Sequence, residues 1–252
     1  MKNTDERALA FVHMFAVLGS IPRLCELDEN AAALADKDIS IGFSVKDGPR
    51  ATLTFGGGKC TLTQGCDSPD IKIPFGSPKK FNGMVDGTVT PIPCRGFFKL
   101  GFLLKNFIKI TDILEKYLRP KPADMADPEF FRKSTLLTLN VLVSAAAQLG
   151  NEDEVGRASA GYIPDGNVRI AIGSDATVWL NAKNSRLTAL FSDPGDITAS
   201  MTFASLELAS DIFAGKANSV AAVGTGGVRI YGMIPQVDNI NRIFDRVSLY
   251  LQ

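Results

Sequence analysis

Apolar and polar residues recur with two distinct periods along this chain, and the switches between them mark out its elements. Leu9, Val12, Phe15 and Ala16 fall at helical spacing and predict a helix over 5–19. After a polar connector, Ile39-Ser40-Ile41-Gly42-Phe43-Ser44-Val45 alternates residue by residue, as a strand with one buried face does. Segments 51–55 and 60–63, joined across Gly56-Gly57-Gly58, read as a hairpin, and a fourth strand follows at 70–75. A short helix ends near Gly87, where glycine suits a left-handed C-cap, and a last strand is expected at about 95–100. The closing helix is amphipathic. Leu103, Phe107, Ile110, Leu114 and Tyr117 occupy one face, and Lys105, Lys109, Asp112 and Lys116 the other.

The same series then runs again. A helix over 129–149 carries Leu136, Leu139, Leu142 and Val143 at helical period. Strands are expected at 168–172, 177–180, 186–189 and 196–201, then a short helix ending near Gly215 and a strand at 228–232. Ile234, Val237, Ile240, Phe244 and Val247 form the apolar stripe of the second closing helix. In the implied alignment Asp70-Ile71-Lys72 meets Asp196-Ile197-Thr198, and Phe81 to Gly87 meets Ala209 to Gly215. Lys99-Leu100-Gly101 meets Ile230-Tyr231-Gly232. Three prolines between Arg119 and Pro128 fit a linker running into a helix N-terminus. The reading is a tandem duplication, with repeats 1–122 and 123–252 able to pack as an intramolecular pseudo-dimer.

Lys80-Phe81-Asn82-Gly83-Met84-Val85-Asp86-Gly87, followed by Arg95-Gly96-Phe97-Phe98-Lys99-Leu100-Gly101-Phe102-Leu103-Leu104-Lys105-Asn106-Phe107, resembles the ending of the sterol carrier protein type 2 lipid-binding domain. Leu208 to Gly215, then Gly227 to Gly232, carries the resemblance again, and Gly42 to Gly48 resembles the family's opening strand and turn. The resemblance covers 36–118 and 166–250 and rests on pattern and element order. It implies an α/β fold of the α+β type in two tandem copies. Each copy is a mostly antiparallel sheet of about five strands covered by helices, with an apolar tunnel between the layers. It implies non-covalent binding, and transfer, of a fatty acid, acyl chain or sterol-like lipid. Domains of this kind also occur appended to acetyltransferases and sulfatases, so an accessory or interaction module that shapes a partner enzyme's pocket is the alternative.

An apolar pocket needs aromatic and aliphatic lining with few polar groups. Phe81, Met84, Phe97, Phe98, Phe102, Leu103, Phe107 and Ile110 supply candidates in the first repeat, and Leu208, Ile212, Phe213, Tyr231, Met233 and Val237 in the second. The competing reading is that these side chains simply fill a core. Lys99 or Lys105 would pair with a carboxylate head group at the mouth.

Composition and charge narrow the chemistry. The 252 residues hold 27 basic and 27 acidic side chains, without the positive surplus of a nucleic-acid binder. The charge is uneven: 1–126 carries 17 basic and 14 acidic residues, and 127–252 carries 10 and 13. From Arg95 to Lys121 seven basic residues face only Asp112 and Glu115, with four phenylalanines interleaved. Such a stretch suits transient contact with an anionic membrane surface, or is simply a solvated helix face. One histidine, His13, leaves little room for a His base or His-ligated metal. Cys25, Cys60, Cys66 and Cys94 show no paired spacing and read as free thiols of a cytoplasmic protein. Gly56-Gly57-Gly58-Lys59 lacks the spacing of a phosphate-binding loop, and Gly224-Thr225-Gly226-Gly227 precedes a strand. Glu152, Asp153 and Glu154 read as a solvated cap. No enzymatic centre, cofactor, metal or transmembrane helix is expected, and the oligomeric state stays open.

Overall fold

The computed structural model describes residues 4–251. The chain divides into two compact units, one up to Lys133 and one from Ser134, with the boundary inside a single long helix rather than in the proline-rich segment before it.

In the N-terminal unit, Asp5 accepts the Arg7 N–H and starts α1 (Glu6–Val12). The helical path continues through a π turn (His13–Val17) and a 3-10 turn (Leu18–Ser20) into α2 (Ile21–Leu27). It therefore outlasts the expected 5–19. Pro22 does not stop it, because it falls in the first turn of α2, where the missing N–H has no partner to lose. By length and composition the run Glu6–Leu27 suffices to cross a membrane, yet 61% of its apolar window is buried inside the protein. Asp28 caps α3 (Glu29–Leu34). The sheet follows the alternation: β1 (Ile39–Val45) pairs antiparallel with β2 (Arg50–Gly56), which pairs with β3 (Lys59–Gln64), and β1 pairs in parallel with β4 (Ile71–Phe75). The order is β3-β2-β1-β4, and Ile41, Phe43, Leu53, Phe55, Ile71 and Ile73 bury one face. Ser77 caps α4 (Pro78–Val85).

The strand expected at 95–100 is not formed. Pro91 and Pro93 supply no N–H for a ladder, so contact with β4 shrinks to a single bridge between Lys72 and Arg95. The chain enters a 3-10 turn (Phe97–Lys99), α5 (Leu100–Phe102), a π turn (Leu103–Phe107) and α6 (Ile108–Leu118).

In the C-terminal unit α7 (Pro128–Glu152) leads to α8 (Glu154–Ala160), absent from the expected series. Strands β5 (Gly166–Ile172), β6 (Ala176–Lys183), β7 (Arg186–Leu190) and β8 (Ala199–Phe203) precede α9 (Leu206–Phe213) and α10 (Ser219–Gly224). Then come β9 (Val228–Gly232) and α11 (Ile234–Tyr250). The order β7-β6-β5-β8-β9 repeats the first sheet and adds one edge strand. Both units are thus α/β, with sheets of four and five strands covered by helices.

Registers and caps show which residues correspond. Ile41, Phe43 and Val45 pair with Ile71, Ile73 and Phe75, as Val168, Ile170 and Ile172 pair with Ala199, Met201 and Phe203. The eighth strand therefore begins at Ala199, and Ile71 corresponds to Ala199 rather than to Ile197. Ser77 and Ser205 cap equivalent helices. Gly96, not Gly101, is the partner of Gly232. Both have positive φ (90° and 84°), and a Cβ on either would collide with a carbonyl oxygen and the next Cα, those of Asp70 and Ile71 or of Thr198 and Ala199. At the far end, Tyr117 donates to Asp28 and Tyr250 to Asp153, the caps of α3 and α8. From Gly to Tyr is 21 positions in the N-terminal unit and 18 in the other. The surplus of three is absorbed by the 3-10 turn and the π turn.

This assignment carries an expected result. Gly232→Ala combines a left-handed backbone penalty with a backbone collision and costs about 2–5 kcal/mol in urea unfolding. Gly101→Ala, with open space around its Cα, leaves the midpoint near wild type.

Candidate functional site

The layer between sheet and helices in the N-terminal unit is built from phenylalanine. Phe81 sits 6.3 Å from Phe43 and 5.2 Å from Phe75, centroid to centroid. Phe107 lies 6.0 Å from Phe43 and 6.3 Å from Phe55, and Phe102 lies 5.3 Å from Phe55. The amphipathic stripe places these side chains correctly: Phe81, Phe102, Leu103, Phe107 and Ile110 are all buried. They are brought together against one another, tilted and edge-on, which is how aromatic rings close a core. Met84 is half-buried on α4. Phe97 and Phe98 stand apart from this layer, 61% and 107% exposed on the 3-10 turn that follows Gly96.

The corresponding layer of the C-terminal unit carries fewer aromatic rings. Through the registers, Phe43 corresponds to Ile170 and Phe55 to Ala182. Through the Ser caps Phe81 corresponds to Ala209, and through the Tyr–Asp hydrogen bonds Phe107 corresponds to Ile240. Only Phe75 keeps its aromatic ring, as Phe203, which meets Phe213 at 5.4 Å. Leu208, Ile212 and Phe213 lie half-buried on α9 at the rim of this layer, and Val237 is buried at the start of α11. Tyr231 is not among them. It pairs with Ser200 on the face of β9 opposite Val228 and Ile230, and is exposed. Met233 immediately precedes α11 and is nearly half exposed.

The polar groups are engaged in structure. His13 lies buried, with Nδ1 3.1 Å from Asn82 Oδ1, and burial holds its imidazole below the usual histidine range. Burial, with Asp28 adding to it, pushes the Cys25 thiol up to about 11, and burial pushes Cys60 higher still, so neither is a thiolate at neutral pH. Lys99 makes an ion pair with Asp70, both side chains remaining partly exposed. Lys105 is exposed. Asp153 is not a solvated cap: it is 2% exposed and receives Gly156 N–H, Arg246 and Tyr250. Sequence reasoning missed it because its partners lie 93 and 97 positions away. A cleft of about 630 Å³ lies beside α2 and α3, ringed by Glu26, Asp28, Glu29, Glu129 and Lys133, a polar lining foreign to a lipid tail. Among the described residues no three His, Cys, Asp or Glu side chains converge as a metal site would require.

No protein-family model matches this chain, and no curated protein matches it. Solved structures similar to it include sterol carrier protein domains. A UbiJ-SCP2 ubiquinone synthesis protein is 14% identical at a TM-score of 0.33, over 42% of this chain and 94% of the other. Sterol carrier protein domain 2 of Helicoverpa armigera is 14% identical at 0.37, over 44% and 88%. Sterol carrier protein 2 from Yarrowia lipolytica, in its apo form, is 18% identical at 0.29, over 40% and 91%.

Proposed function

We propose that this chain binds a hydrophobic small molecule non-covalently, an acyl chain or sterol-like body, within the helix–sheet layer of its C-terminal unit. One observation carries the reading: four phenylalanine positions of the N-terminal layer are Ile170, Ala182, Ala209 and Ile240 in the other, with Leu208, Ile212 and Phe213 left half-buried at its rim. Replacing buried Phe by Ala removes bulk that neighbouring atoms recover only in part. A guest supplies the missing contacts and gains about 25 cal/mol for each Å² of apolar area taken from water. The N-terminal layer, filled by its own rings, serves as scaffold. The role is that of a carrier without chemistry of its own, in keeping with a buried neutral His13 and protonated thiols.

Native mass spectrometry followed by organic extraction tests this. One fatty acid, sterol or related lipid per chain is the expected result, and a purified protein that is empty and takes up no fluorescent fatty acid overturns it. Ala209→Phe, which restores the ring found at Phe81, is expected to lower fatty-acid uptake at least about tenfold while holding the melting temperature within a few degrees. Unfolding of that variant with uptake lost would show that the layer is already full.

A second reading is favoured by Val220, Tyr231 and Ile234, which are 78%, 78% and 61% exposed. Apolar groups left in water suit an accessory module that docks on a partner enzyme. An empty protein in the extraction experiment would shift the weight to this reading.

A further inference from the structure

The three-residue surplus before α6 has changed what the N-terminal unit shows to its surroundings. Behind Gly96 the chain makes a 3-10 turn in place of a direct entry into the closing helix, and Phe97 and Phe98 ride on that turn into solvent. A phenylalanine more than 100% exposed has no neighbour on any side. It is accompanied by Ile92, Leu104 and Ile108, all exposed. Leu104 and Ile108 are four apart across the π turn and the start of α6, so they form an outward stripe on a helix whose inward stripe is Phe107, Ile110 and Leu114. The helix is apolar on two sides. The outer one is exposed.

The charges within this segment are of one sign. Between Asp86 and Asp112 there is no acidic residue, while Arg95, Lys99, Lys105 and Lys109 fall in that interval. Lys99 is neutralised by Asp70. Arg95, Lys105 and Lys109 are exposed, and none has an acidic partner among the described residues. Lys105 and Lys109 follow Leu104 and Ile108 at the same spacing, so a basic stripe runs beside the apolar one.

We propose that residues 92–109 are a membrane-docking surface for anionic bilayers. Phe97 and Phe98 enter the boundary between head groups and acyl chains, Leu104 and Ile108 lie along it, and Arg95, Lys105 and Lys109 meet lipid phosphates. A protein groove would accept the apolar side chains equally well. The positive excess left by Arg95, Lys105 and Lys109 once Lys99 is paired with Asp70 selects the bilayer, whose negative head groups extend in every direction around an inserted tip. The proposal does not depend on whether the C-terminal unit holds a ligand. It would nevertheless bring a carrier to the source of its cargo.

Flotation of the full-length protein with phosphatidylcholine vesicles, with and without phosphatidylglycerol, tests the surface. Wild type is expected to bind the phosphatidylglycerol vesicles about tenfold or more tightly than phosphatidylcholine alone, with binding falling as salt rises. The double variant F97S/F98S is expected to lose about tenfold or more on both vesicle types, and K105E/K109E to lose binding only where phosphatidylglycerol is present. Because these four side chains are exposed, circular dichroism and melting temperature stay at wild-type values, and V220S on the other unit binds as wild type. Failure of wild type to float with anionic vesicles overturns the proposal. So does F97S/F98S binding like wild type.

Discussion

Asp153→Ala is expected to destabilise the protein by about 3–5 kcal/mol in urea unfolding, because it leaves a guanidinium in a partly buried site without its counter-charge. The Asp153 carboxylate receives Arg246 Nε and Nη2 at 3.0 Å each, Tyr250 Oη at 2.6 Å and the Gly156 N–H at 2.9 Å. It ties α8 to α11 while capping α8, so a single side chain holds two helices in register. Burial pushes its pKa up, but the hydrogen bonds from Arg246, Tyr250 and Gly156 outweigh burial and hold it below the usual carboxylate value of 3.8. The sign of the pH dependence follows. A depressed folded-state pKa contributes stability above the unfolded value and loses it as pH falls through the folded one. Wild type is therefore expected to lose this contribution below about pH 4, and Asp153→Asn to show a flatter acid limb. An acid limb unchanged in Asp153→Asn would contradict this account. In the N-terminal unit the equivalent Asp28 receives Tyr117 and the Ala31 N–H, and the position matching Arg246, four before the tyrosine, is Ile113.

Phe81→Ala is the second large effect, about 3–5 kcal/mol. Phe81 is fully buried and packs against both Phe43 and Phe75, so truncation opens a void among packed rings. The reciprocal substitution in the other unit, Ala209→Phe, is expected to leave stability nearly unchanged. Two substitutions at one topological position with opposite consequences would show directly that the layers differ in filling. Equal and large losses from both would show that they do not.

Period-two alternation made the sheets legible. Ile39 to Val45 alternates because one face is buried, and the first hairpin showed through its turn at Gly57-Gly58; the second turns at Asn184-Ser185, and all four residues have positive φ. The segment 95–100 failed for a reason outside its own composition. Apolar residues there suggest a strand, but the prolines at 91 and 93 remove the donors that would have started the ladder. The internal alignment slipped where the surplus residues lie: Lys99-Leu100-Gly101 matches Ile230-Tyr231-Gly232 better by eye than Gly96 matches Gly232. The positive φ shared by Gly96 and Gly232 and the collision of a Cβ with the neighbouring strand identify the true pair. The candidate lining fared unevenly. Helical period separates inward from outward side chains, so Phe107 and Ile110 were placed well. Whether inward rings leave a gap depends on the residues facing them from other strands, such as Phe55 or Ala182, which periodicity does not join.

The missing fifth strand also bears on how the protein keeps to itself. β4 is an edge of its sheet, and an edge with free N–H and C=O groups invites pairing with another chain. Lys72 turns both of its backbone groups outward, to Arg95 and Cys94. Two residues on, the outward-facing position is Pro74, which has no N–H to offer. The rim of β4 is thus occupied at one point and chemically blank at the next. The substitution Pro74→Val would give that rim a free N–H and make it a better template for intermolecular strands, so this proline guards the protein against aggregation.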